Sequence, residues 1–387
     1  MARLLRSIIT TAAAPLCAAL VFSSCATATG GGTPANTGTS PTPAGGTTTS
    51  GGGVGPVSTT STRWPVMSAA HIDLWLHSFA LISQDTSAVP LFKRGYRDSI
   101  TVLRSRNNVL TSLDANRDAL SRQLNTNPAL VQAQFLALQF PNFAEMRKGI
   151  EALLQFQGDP ARAPDRNTAL IVQQLAASFP TAADRDWVRL FLAGVIDEQA
   201  RYYDAEHQRV VRARSAVLSA VQSLWQNTYR SKLDRFLNNT SQRQGEMYLS
   251  LPIGPEGRTS GGANGQTVVV VPFPERTADA AQSIIVFVHE VTGNIVSTVV
   301  SDNTTPAQQR DGSSGSYVAF GQVLGGMLLL QKVAPELTDA YCRYYLAQVG
   351  RPTKGVNVQA ALRSAFPVPQ AISDALARQI DIVLAGI

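Results

Sequence analysis

Between residues 67 and about 238 the apolar positions recur at three-and-four spacing, the period of helices that bury one face. Pro90, Pro128, Pro141, Pro160, Pro164 and Pro180 cut this stretch into segments of ordinary helix length. The first segment has Ser68 as a candidate N-cap and carries Ile72, Trp75, Leu76, Phe79 and Ile82 on one stripe. Further stripes run through 102–124, 143–156 and 187–202; in the last, Trp187, Leu190, Phe191, Gly194 and Val195 share a face. A final long helix passes through Val217, Val221, Leu224, Trp225, Tyr229, Leu233 and Phe236. Residues 63–244 thus read as an all-helical bundle with no internal repeat.

The period changes at Gly245. Residues 247–251 and 268–273 are short apolar runs joined by the turn-rich GPEGRTSGGANGQ, which predicts a β-hairpin. Only a small sheet can result, since no third run of similar strength follows. Residues 278–300 form a strongly apolar helix candidate, and helices over 317–332, 335–348 and 370–384 complete the chain. The expected fold class is α+β, predominantly helical: a bundle over 63–244, then a hairpin and helices over 245–387.

The first 62 residues follow neither pattern. Residues 1–24 place Arg3 and Arg6 before an apolar run that ends in Ser23 and Ser24, just ahead of Cys25. That is the layout of an export signal, and the run is short for a membrane span. The stretch VFSSC resembles the lipobox of bacterial lipoproteins, with Phe22 where Leu is usual. The resemblance implies cleavage before Cys25 and attachment of a diacylglycerol to its sulfur; an ordinary secretory signal cut elsewhere is the alternative. In well-studied lipoprotein families an Asp after the Cys favours the inner membrane. Ala26 stands there, so the resemblance implies the cell envelope, with the outer membrane as the favoured address. Residues 25–62, almost wholly Gly, Thr, Ser, Pro and Ala, carry no charge and cannot bury enough apolar area to offset their ordering entropy. They read as a tether with a reach on the order of 30–40 Å.

Charged residues make up 16% of the 387, against roughly 25% in average soluble proteins, so packing rather than ion-pair networks should hold the body. The formal charge is +6, from 33 basic and 27 acidic residues; without Arg3 and Arg6 it is 31 against 27, or +4. That excess is too small to indicate nucleic acid as a partner. Of the three cysteines, Cys17 lies in the signal and Cys25 would be acylated. Cys342 alone remains in the body, which excludes an intrachain disulfide or a multi-cysteine metal site. GxSxG, GxxxxGK and a strand-linked GxGxxG are all missing, and GRTSGGANGQ lacks the Lys of a phosphate cradle.

One segment carries candidate chemistry. SIIVFVHEVTGNIV sets His289 and Glu290 side by side in an apolar helix that follows a strand, a costly placement for ionisable groups without partners. Up to its midpoint it resembles the zinc peptidases of the HExxH type, the zincins, whose helix carries two zinc-binding histidines and a Glu that activates the metal-bound water. The resemblance implies His289 as a zinc ligand, Glu290 as the catalytic base and metal-assisted hydrolysis of peptides. The second His belongs at position 293, where the chain has Gly293. Three readings therefore stay open: a satisfied polar pair in the core, a zincin-like scaffold without its metal, and a working site completed from elsewhere.

The chain has four histidines, His71, His77, His207 and His289. Asp73 and His77 are four apart on one helix face, which makes His77 the better additional ligand than His71; pairing of the two on the bundle surface is the alternative. His207, in YYDAEHQR, reads as part of a solvated face. Glu336 is the third ligand by position in the glutamate-containing branch of the resemblance, with Asp302 a second choice. A Glu in the first turn after Pro335 is equally explained by the helix dipole. The expected function is an envelope-anchored lipoprotein with a metallopeptidase-like body. The alternative is a non-catalytic binding or scaffold module. A lipid bilayer and a peptide or protein are the expected partners.

Overall fold

Strands β1 (Val66–Met67), β2 (Gly245–Ser250), β3 (Arg258–Gly261) and β4 (Thr267–Pro272) form one sheet in the order β1-β2-β4-β3. The structure is a computed structural model describing residues 63–85, 87–262 and 265–386, so the expected signal, Cys25 and the tether lie outside the described residues. β1 pairs parallel with β2 and β2 parallel with β4, while β3 pairs antiparallel with β4. This corrects the expected hairpin between 247–251 and 268–273. The hairpin is β3 with β4, and β2 runs alongside β4 in the same direction. β3 reads RTSG, with no apolar residue to mark it, and β1 is two residues long, so neither leaves a periodic signal.

β4 organises the packing. Val268 and Val270 enter one hydrophobic core and Val269 and Val271 the other, the period-two alternation of a strand buried on both faces. The first core is built by Ala70–Ile82, Ser112–Thr126, Phe143–Gln155, Arg166–Ser178 and Ala182–Glu198. Its centre is aromatic: Trp75, Phe79, Trp187 and Phe191 pack with ring centroids 4.6–5.8 Å apart. The indole N–H of Trp75 donates to the Ala133 carbonyl and that of Trp187 to the Leu120 carbonyl, so burial leaves neither unsatisfied. The expected stripe Ile72, Trp75, Leu76, Phe79 and Ile82 is buried throughout. Ala69 rather than Ser68 sits at the N-cap of that helix, with no side-chain cap. The stripe expected over 102–124 divides into Tyr96–Arg106 and Ser112–Thr126, and Val102 is 49% exposed.

The second core takes Trp64, the continuous helical stretch from Ser215 to Asn239, and the helices Ala281–Val291, Gly293–Asp302, Ser313–Val333, Pro335–Gln348, Val358–Ala365 and Gln370–Ala385. Core membership therefore changes between Tyr203 and Val217, well ahead of residue 245 where the sequence pattern changes. The apolar run after β4 forms Ala281–Val291 and Gly293–Asp302. By length and composition the stretch Thr277–Asp302 matches a membrane span, but 78% of its most apolar window is buried inside the protein. A helix apolar on all sides is here a core helix. Trp64 and Trp225 both pack on Phe287, at 5.0 and 4.6 Å, and the Trp225 indole donates to the Trp64 carbonyl at 2.9 Å.

The entry into β2 needs a residue without a side chain. A Cβ on Gly245 would stand 2.5 Å from the Trp64 ring and against the Thr267 carbonyl. Gly245→Ala is expected to lower the unfolding free energy by roughly 1–3 kcal/mol, measured by urea denaturation; an unchanged midpoint would contradict this packing.

Candidate metal centre

Glu256, His289 and Glu290 offer ligand atoms that all lie within 4.8 Å of one another, and among the described residues no other group of three does so. His289 and Glu290 come from the end of the buried helix Ala281–Val291. Glu256 comes from the segment between β2 and β3, which runs back along residues 90–93. Lys93 N–H donates to the Pro252 carbonyl, Gly254 N–H to Leu91 and Glu256 N–H to Pro90. These bonds deliver the Glu256 side chain to the helix. Gly257 then turns the chain at φ +66°, and a Cβ there would lie 2.7 Å from Val286 and 2.8 Å from the Glu290 side chain. The close approach of loop and helix depends on that glycine.

His289 Nε2 lies 3.6 Å from a Glu256 oxygen and 3.8 Å from a Glu290 oxygen. Both are outside hydrogen-bond range, and neither ring nitrogen has a hydrogen-bond partner although the residue is fully buried. The Tyr345 ring covers the imidazole at 5.0 Å, while its hydroxyl donates to the Pro255 carbonyl. The Gln322 amide donates to Glu290 Oε1 at 3.1 Å. Burial pushes the Glu290 carboxyl up to about 7; His289 opposes the shift, Glu256 adds to it, and Arg258 opposes it. One imidazole and two carboxylates are a donor set able to hold a divalent cation.

Position 293 is lined by a neighbour. The atoms nearest a Cβ on Gly293 belong to Gln322, at 3.5–3.8 Å, so the side chain that borders this space is an amide already bonded to Glu290.

The other expected ligands lie elsewhere. Glu336 pairs with Lys232 in the first turn of Pro335–Gln348 with its side chain 47% exposed, in line with the helix-start alternative. Asp302 is exposed at the end of its helix. His77 is fully buried in the first core: Nδ1 is 2.9 Å from the Tyr96 hydroxyl and Nε2 is 3.0 Å from Glu198. Asp73 does not pair with it on a surface. Asp73 accepts from the Leu251 N–H at 3.1 Å and lies 3.2 Å from His207 Nε2. His207 is 7% exposed, so the expected solvated face is a buried pair instead. His71 bonds the Phe140 carbonyl at 2.9 Å, and burial lowers its pKa. Cys342 is buried, with its thiol pushed up to about 12 by that burial. Glu256 was not singled out by sequence reasoning; its only local mark is the glycine that follows it. Comparison with family models, with curated proteins and with solved structures yields no match.

Two outcomes follow from these contacts. Gly257→Ala adds positive-φ strain and pushes the loop from Val286 and Glu290, so any metal affinity measured by calorimetry should fall at least tenfold; unchanged affinity would contradict the loop's role. Glu198 is pushed up by burial, but His77, Arg104 and Thr111 outweigh this and hold its carboxyl below the ordinary range. Its contribution is complete above the unfolded carboxylate value of about 4.3 and is lost as pH falls through the lower native value. Glu198→Gln should cost roughly 1–3 kcal/mol by weakening the bonds from His77 and Thr111 and removing one of the two carboxylates that Arg104 pairs with. Urea titrations across pH should also show a shallower acid loss than in the wild type.

Proposed function

We propose that this chain is a bacterial envelope lipoprotein, acylated at Cys25 and tethered by residues 25–62. On this reading its body is a binding or scaffold module built around a zinc ion held by Glu256, His289 and Glu290. The carrying observation is the buried His289 ring, which has two unpartnered nitrogens and faces two carboxylates. A zinc ion drawn among them would bind Nε2, the ring nitrogen that faces the carboxylates, and neutralise the two carboxylates together. The His289 and Glu290 side chains are only 1% and 5% exposed. Three protein donors leave one zinc position free, as in catalytic sites, but the enclosure of His289 and Glu290 closes it to substrate on their side, which supports a structural ion over a turnover site.

One observation favours metal-assisted peptide hydrolysis as a second reading. The Glu256 side chain is 35% exposed, so the cluster reaches the surface on that side. Glu290 would then serve as the base toward a water on the metal.

Elemental analysis of the purified protein should find about one zinc per chain, lost in His289→Ala; no metal in either protein after refolding with zinc would overturn the metal reading. Hydrolysis of an unstructured peptide by the zinc-loaded wild type, abolished in Glu290→Gln, would favour the second reading over the first. For the anchor, incorporation of labelled palmitate should be lost in Cys25→Ser; equal labelling of both proteins would refute acylation at Cys25.

A further inference from the structure

A second polar cluster sits at the carboxyl ends of the parallel strands β2 and β4, apart from the metal centre. Lys93 Nζ donates to the Phe273 carbonyl at 3.1 Å, and Arg214 Nη1 donates to the same oxygen at 3.1 Å and to the Pro274 carbonyl at 3.3 Å. Two cations thus converge on one oxygen, each with N–H groups to spare. Among the described residues no carboxylate lies within ion-pair distance of Lys93. Arg214 reaches only Glu275, at 3.8 Å, whose side chain is 75% exposed. Asp73 accepts from the Leu251 N–H through Oδ1, and its Oδ2 lies 3.2 Å from His207 Nε2.

Ser250 ends β2, and its carbonyl accepts from the N–H of Phe273, the residue whose own carbonyl takes both cations, at 2.9 Å. Its hydroxyl is buried, on a residue 1% exposed, and has no hydrogen-bond partner. A buried hydroxyl without a partner on the residue bonded to Phe273, and two crowded, incompletely neutralised cations on the Phe273 carbonyl, are each costly unless something accepts from them. Burial and the charge of Arg214 hold the Lys93 pKa down to about 8, with Glu275 and Asp73 acting against them. Lys93 is half-buried and the Arg214 side chain 21% exposed, so the two cations are reachable from solvent. In open α/β sheets ligands bind outside the carboxyl ends of the parallel strands, the end at which this cluster sits.

We propose that Lys93, Arg214 and the Ser250 hydroxyl form a binding site for a small anion bearing a phosphate or carboxylate group. Lys93 and Arg214 supply charge-assisted donors and Ser250 a directional one. The site is independent of the metal reading.

The full-length protein is titrated at low salt with inorganic phosphate and, separately, with acetate. Saturable binding is expected, at least tenfold weaker in Lys93→Met and in Arg214→Gln, with Lys93→Arg retaining most of it. Tighter phosphate than acetate assigns the site to phosphate groups, and the reverse order to carboxylates. In the wild type, where folding is not in question, the anion should also move the Lys93 13Cε titration to higher pH. No saturable binding, equal affinity in the charge-removing variants, or an unmoved Lys93 titration would each overturn the proposal. A pair that only caps the Phe273 and Pro274 carbonyls would lose stability on substitution and show no response to either anion.

Discussion

A strand whose side chains are valine on both faces has to be covered twice, and most of this architecture follows from β4 meeting that demand. Val268 and Val270 close the core of the N-terminal helices, while Val269 and Val271 close that of the C-terminal ones. β2 repeats the arrangement, with Met247 and Leu249 on the second core and Tyr248 against the first. Each alternate pair of valines removes apolar area from water on its own side, at about 25 cal/mol per Å2. A slip of one residue in the β2–β4 register would exchange the faces and disrupt both cores together.

The same constraint positions both candidate sites. The helix Ala281–Val291 packs on β4 because it is apolar on every side, and this carries His289 and Glu290 into the interior. The segment after β2 lies along residues 90–93 of the first body and presents Glu256 to that helix. Metal ligation would therefore join a loop bonded to one body with a helix of the other. At the carboxyl ends of the strands, Lys93 from the N-terminal body and Arg214 from the start of the second meet over Phe273.

Residues with strong periodic signals were legible in advance. The stripe from Ile72 to Ile82, the face shared by Trp187, Phe191 and Val195, the valine strand and the apolar helix after it all occur as elements. The direction of β2 was not legible, because its partner's pairing depends on a β3 of only RTSG and on a loop bonded to residues 90–93. His77 and Asp73 were visible as a helix-face pair. That each takes a partner from elsewhere, Glu198 and His207, depends on which helices close over them, and spacing within one helix cannot encode it. Likewise Gly293 announced a space, but nothing local names Gln322 as its neighbour or Glu256 as the third donor.

The proposed zinc centre makes a specific statement about the atoms around the ion. X-ray absorption at the zinc edge of the metal-loaded, full-length protein reads them directly. One imidazole and carboxylate oxygens at about 2.0–2.2 Å, with no sulfur, is the shell expected from His289, Glu256 and Glu290. A sulfur scatterer near 2.3 Å, which only a cysteine such as Cys342 would supply, or a shell without imidazole would contradict it.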